Sequence, residues 1–183
     1  MIIKWYGDGC YKIETPNFNL VVDPDTSIKG KQIKADLVLK TLMPLPVKIT
    51  SSNEIIGSGE YEVSGIKIQG IALPVEKNAD ALKTIYLVMI DEIRLCFLGD
   101  TEKDLTEGVL ENIGEVDILF APTNQRISYY LKSIDPKIII PGFGDPHKAE
   151  SELGQKGELQ EKLVIKKKDL EGEIINKLII LKS

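Results

Sequence analysis

The chain has 183 residues, 43% hydrophobic and 28% charged, with a formal net charge of −5. That length suits one domain over residues 1–183, and the composition is that of an ordinary globular protein rather than a disordered one. The negative balance disfavours a nucleic-acid binder that works through a broad phosphate-neutralising field, and no apolar run reaches the 18 residues of a membrane helix.

The N-terminus, Met1-Ile-Ile-Lys-Trp-Tyr-Gly7, runs straight into a strand pattern without the apolar core of a signal peptide, so a cytoplasmic protein is expected. Ile2–Tyr6, Cys10–Glu14 and Phe18–Val22 read as three short strands separated by Gly7-Asp8-Gly9 and Thr15-Pro16-Asn17. A polar loop containing Gly30 leads to a fourth strand at Asp36–Leu39. The stretch after it, through Leu42, Pro44, Pro46 and Val47, is expected to be a loop, because its two prolines lack backbone donors. Val47–Ile49, Glu54–Ile56, Glu60–Val63 and Ile66–Leu73 follow as short strands, the last with period-two alternation. Thr84–Ile90 and Ile93–Leu98 form a hairpin about Asp91-Glu92.

The pattern then changes. Leu105, Val109, Leu110 and Ile113 have helical spacing, predicting a helix over Glu102–Ile113 capped by Thr101 or Asp100 and closed by Gly114. A strand at Val116–Ala121, a helix at Gln125–Ile134 with Asn124 as its cap, and a strand at Lys137–Pro141 come next. His147–Gln160 reads as a polar helical segment, and strands at Leu163–Lys167 and Lys177–Leu181 end the chain. Strands in excess of one layer, with helices alternating late, predict a mixed α/β protein of two sheets packed face to face with helices outside.

Several fragments, in order, resemble the metallo-β-lactamase superfamily, near its small ascorbate-6-phosphate lactonase-like branch. They are Trp5-Tyr-Gly7, Val21-Val-Asp23-Pro24, Ala35-Asp-Leu-Val-Leu-Lys-Thr41, Gly57-Ser-Gly-Glu-Tyr-Glu-Val63, Leu98-Gly-Asp-Thr101, Asp117-Ile-Leu119 and Pro136-Lys-Ile-Ile-Ile-Pro141. The resemblance implies a four-layer αββα sandwich with a site at one edge, where zinc would be held by a His-x-His-x-Asp-His motif. The positions matching that motif are Leu42, Pro44, Pro46 and Val47. The other matching positions are Asp8, Leu73–Glu76 and Phe143, and only Asp100 keeps a ligand-type side chain, followed by Thr101.

The chain contains a single histidine, His147, whereas zinc sites of this type need several imidazoles. Zinc is therefore not expected, and a degenerate, non-catalytic binding or assembly module is. The homo-oligomer or protein partner expected for it has no membrane component. The alternative is a hydrolase using magnesium, calcium or manganese on an oxygen-only cluster of Asp100 with Asp8, Asp23, Asp25 or Asp145. Cys10 and Cys96 are expected as buried free thiols, Lys166-Lys167-Lys168 as a solvated strand end or turn, and Trp5 and Phe143 as packing residues, with pocket lining as their alternative. Thr101, Thr123 and Ser128 have no neighbouring histidine base, and Gly142-Phe143-Gly144 lacks the lysine of a phosphate loop.

Overall fold

The computed structural model describes residues 1–24, 33–49, 51–75, 80–123, 126–172 and 174–183. The expected cap Asn124, Gly30, Asp25 and Glu76 lie outside the described residues. Two sheets pack face to face. The first contains β1 (Ile2–Trp5), β2 (Tyr11–Glu14), β3 (Asn19–Val22), β4 (Leu37–Lys40), β6 (Glu54–Ile56) and β14 (Leu163–Val164), in the order β14-β1-β2-β3-β4-β6. The second contains β7 (Gly59–Val63), β8 (Ile66–Ala72), β9 (Ala81–Ile90), β10 (Ile93–Phe97), β11 (Ile118–Pro122), β12 (Ile138–Gly142), β13 (Glu158–Gln160) and β15 (Lys177–Leu181). Their order is β13-β15-β12-β11-β10-β9-β8-β7, and β5 (Leu42–Pro44) is added alongside β9.

The alternation of each strand decides what lies between the sheets. Ile3, Tyr11, Ile13, Leu20, Val22, Leu37 and Leu39 of the first sheet meet Ile66, Ile68, Tyr86, Val88, Leu95, Phe97, Phe120 and Ile140 of the second. The other face of the second sheet offers Ile85, Cys96, Leu98, Leu119 and Ile139 to the helices α1 (Glu107–Ile113), α2 (Ile127–Ile134) and α3 (Lys148–Leu153). This is the expected sandwich with helices outside. Among the described residues, all three helices lie on the second sheet.

Several boundaries differ from expectation for identifiable reasons. The proline stretch is partly strand: Met43 tucks its side chain in at 5% exposure, and β5 pairs antiparallel with β9, Leu42 opposite Lys83. Pro44 is tolerated because it ends the strand, and the amide of Leu45 donates to Asp80 O at 2.7 Å. Val47–Ile49 is not a strand.

Helix α1 starts five residues later than predicted, with Thr106 in place of Thr101 or Asp100 at its cap position. The segment before it is held open by tyrosines of α2. Tyr130 Oη donates to the carbonyls of Thr101 (2.9 Å) and Lys103 (3.1 Å), and Tyr129 Oη to that of Leu105 (3.0 Å). His147–Gln160 divides into α3 and β13, turning at Gly154 with φ 63°. Leu163–Lys167 is strand only to Val164, then forms a 3-10 turn over Lys167–Leu170. Asp91 and Glu92 both have positive φ (51° and 62°), as the two-residue hairpin requires.

Candidate site at the strand ends

β3, β4, β10, β11 and β12 deliver their C-terminal ends to one edge of the sandwich. Val22, Asp23, Thr41, Gly99, Ala121 and Phe143 from those ends, with Gly9, Tyr11, Phe97 and Phe120, enclose a residual cavity of about 10 Å³. That is close to the room one water needs, so the edge is nearly closed.

Phe143 closes it. A Cβ placed on Gly9 would lie 2.1 Å from the Phe143 ring, so the ring rests where only glycine leaves space. Phe143 itself has φ 48°, between Gly142 and Gly144. Its carbonyl accepts a 2.6 Å hydrogen bond from Thr123 Oγ1, which fixes the backbone beneath the ring. The floor is aromatic: Phe97 stacks on Phe120 at 4.2 Å and Tyr11 meets Phe120 edge-on at 4.6 Å.

The polar wall is Asp23. Oδ1 accepts from the amide of Thr41 (2.7 Å) and Oδ2 from its hydroxyl (2.5 Å), joining the ends of β3 and β4. Burial outweighs these bonds and the attraction of Lys40, and pushes the carboxyl up to about 6. Tyr11, 2% exposed, has a hydroxyl with no hydrogen-bond partner among the described residues, and burial first, then the charge of Asp23, raise it far above the usual tyrosine range.

The residues predicted from sequence are only partly gathered here. Phe143 lines the cavity; Asp8, with φ 39°, is exposed beside Gly9. Leu42, Pro44, Pro46 and Val47 are exposed on and after β5, away from the cavity lining. Asp100 caps no helix; its carbonyl accepts from Lys83 Nζ at 2.8 Å. Thr101 Oγ1 donates to the carbonyl of Leu98 at 2.5 Å.

Asp145 bonds the amide of His147, and His147 is exposed beside Glu150. Among the described residues, no three His, Cys, Asp or Glu side chains are grouped to hold a metal ion, and Asp25 of the expected cluster lies outside them. Cys10 and Cys96 are buried and free of any disulfide. The lysine run enters a turn, one of the two forms expected for it, and Lys167 in addition pairs with Asp117 at 2.9 Å. Sequence reasoning missed Tyr11, Gly9 and Gly99 as site residues. A glycine between two strands and an aromatic in an alternating strand carry no signal of meeting a phenylalanine far along the chain.

Comparison with known proteins bears on the fold. No curated protein matches the chain in sequence. A protein assigned to the Zn-dependent hydrolases of the metallo-β-lactamase superfamily from Thermotoga maritima is similar in structure, with a TM-score of 0.74 and 21% identity over 98% of this chain and 97% of that one. A protein assigned as a metal-dependent hydrolase from Parabacteroides distasonis has a TM-score of 0.65 and 18% identity over 98% of this chain and 93% of that one. A metallo hydrolase from the hyperthermophilic archaeon Ignicoccus hospitalis has a TM-score of 0.64 and 14% identity, over 90% and 99%. At these identities the likeness is one of fold. No helix is long and apolar enough to cross a membrane among the described residues. The family model described as a beta-lactamase superfamily domain matches residues 2–142, and the chain belongs to the metallo-β-lactamase superfamily.

Proposed function

We propose that this chain is a non-catalytic member of its superfamily, a binding or assembly module whose site edge has been rebuilt for contact. The observation that carries the reading is the filling of that edge. The Phe143 ring occupies the space above Gly9, and the positions matching the ligand motif are Leu42, Pro44, Pro46 and Val47. Neither aliphatic side chains nor proline can ligate zinc or move a proton.

The same segment supplies a contact surface. Leu42, Leu45, Val47 and Ile49 are all exposed, Ile49 at 74%, and Val75 is exposed after β8 on the other side of β9. Clustered exposed aliphatics of this kind mark interaction sites. Its occupant in this reading is a protein surface, either a second copy or another chain.

The reading is tested on the purified protein by two measurements. Mass spectrometry of bound zinc, magnesium and manganese is expected to find no stoichiometric metal. A hydrolase panel of phosphodiester, lactone and ester substrates with each of those metals is expected to stay at background. Metal-dependent turnover abolished by Asp100→Ala would overturn the reading in favour of a hydrolase with a substitute cation.

A further inference from the structure

The Phe143 ring and the Tyr11 hydroxyl make an uncommon pair. Tyr11 Oη is fully buried against Gly142, whose notional Cβ would stand 2.0 Å from it, yet it has no hydrogen-bond partner among the described residues. A buried hydroxyl left unpaired costs free energy, and such groups in native structures call for a reason. Tyr11 and the Asp23 carboxylate line the same remnant cavity, one bringing a free donor and the other acceptor oxygens. The lining also includes Val22, Thr41, Ala121 and the stacked Phe97–Phe120 pair.

The lid over this cavity is a side chain. Phe143 is half-buried, and Thr123 holds the backbone carbonyl beneath its ring. Rotation about the side-chain bonds can therefore lift the ring without unseating the loop. Above Gly9 the ring leaves behind a slot of its own size that adjoins the cavity lined by Tyr11, Phe97 and Phe120.

We propose that this slot is a binding pocket for a small planar aromatic carboxamide, with Phe143 as the built-in occupant that the ligand displaces. The ligand ring takes the place of the Phe143 ring. Its carbonyl accepts from Tyr11 Oη, and its amide N–H donates to the Asp23 carboxylate. Binding is non-covalent. The inference rests on the proposed non-catalytic reading of this edge and gives it a ligand class.

The test uses benzamide as the probe, with toluene and benzoate as controls, followed by NMR of the Ala121 and Thr41 methyl groups that line the cavity. Benzamide is expected to shift both methyls in the wild-type protein. In Phe143→Ala the affinity is expected to rise by about tenfold, since the competing closed state is removed. Adding Tyr11→Phe to that background is expected to weaken benzamide by about fivefold, the worth of one neutral hydrogen bond.

Toluene lacks the polar groups and benzoate meets the charge of Asp23, so both are expected to bind more weakly than benzamide. If Phe143→Ala does not fold, Phe143→Leu and the wild-type titration carry the test. The proposal is overturned if benzamide leaves the wild-type methyl signals unmoved, if toluene binds as well as benzamide, or if Tyr11→Phe has no effect. Turnover in the hydrolase panel would sink the non-catalytic reading by itself. Absent benzamide shifts without turnover would sink only the pocket.

Discussion

Asp23 and Asp117 are carboxylates at opposite ends of the parallel strands, and their surroundings push them in opposite directions. Asp117 stands just before β11. Its oxygens accept from Lys137 Nζ (2.9 Å), Lys167 Nζ (2.9 Å) and the amide of Arg94 (3.0 Å). Burial alone would raise its pKa, but the Arg94 amide and the two lysines together outweigh burial and hold the carboxyl below its ordinary range. Asp23 follows β3 with φ 45° and has Thr41 as its hydrogen-bonding partner, so burial wins and the carboxyl rises to about 6.

One end of the sandwich is a saturated polar clamp, and the other holds an orphan hydroxyl, a half-compensated charge and the left-handed residues Asp8, Asp23 and Phe143. Folds of this kind tolerate such conflicts where they bind things, and the C-terminal strand ends are the customary place.

The contrast can be broken first at the clamp. Asp117→Ala leaves two lysines and a partly buried amide without their acceptor and is expected to cost about 3 kcal/mol, discounted for the partial exposure of both lysines. Denaturant unfolding checks it. The pH dependence separates the two ends by sign. The lowered carboxyl of Asp117 contributes stability above its unfolded value of 3.8, and that contribution disappears as pH falls through the depressed native value. The raised carboxyl of Asp23 does the reverse: its contribution is fully present below 3.8 and is lost as pH rises to about 6. Asp23→Asn is therefore expected to remove a loss of stability between those pH values, and Asp117→Asn to remove a loss on the acid side.

A smaller effect is expected at the lid. Gly9→Ala drives a methyl into the Phe143 ring and forces alanine to φ 79°, for a cost of about 2 kcal/mol. In a Phe143→Ala background only the backbone part should persist, which a double-mutant cycle measures.

The smallest effect is the sharpest. Tyr86 Oη donates to the carbonyls of Ile55 (3.3 Å) and Gly57 (3.2 Å), so Tyr86→Phe is expected to destabilise by about 1 kcal/mol. Tyr11→Phe deletes an unpaired hydroxyl and is expected to be neutral or stabilising by up to about 1 kcal/mol. Equal losses in both variants would mean that Tyr11 is not an orphan.

The strands of the two sheets were legible in the sequence because burial on a pleated surface imposes alternation, or apolar runs such as Ile138-Ile-Ile140. Late entry into α1 was not, since it depends on carbonyls held by tyrosines of another helix. Nor was β5, which turns on a single buried methionine and on pairing with the distant start of β9. Of the positions singled out for the site edge, Phe143 lines the cavity, whereas Leu42, Pro44, Pro46 and Val47 stand away from its lining. What fills the edge was not legible, because the meeting of Phe143 with Gly9 is a contact across more than a hundred residues.

The outer strand β7 has a consequence for how copies of this chain can meet. Glu60 and Glu62 are exposed along it, and it ends the larger sheet. Two molecules extending that sheet edge to edge would bring these carboxylates against their own counterparts across the symmetry axis. Like charges brought face to face in this way disfavour that pairing. The β7 edge is thereby protected against pairing with the same edge of another copy.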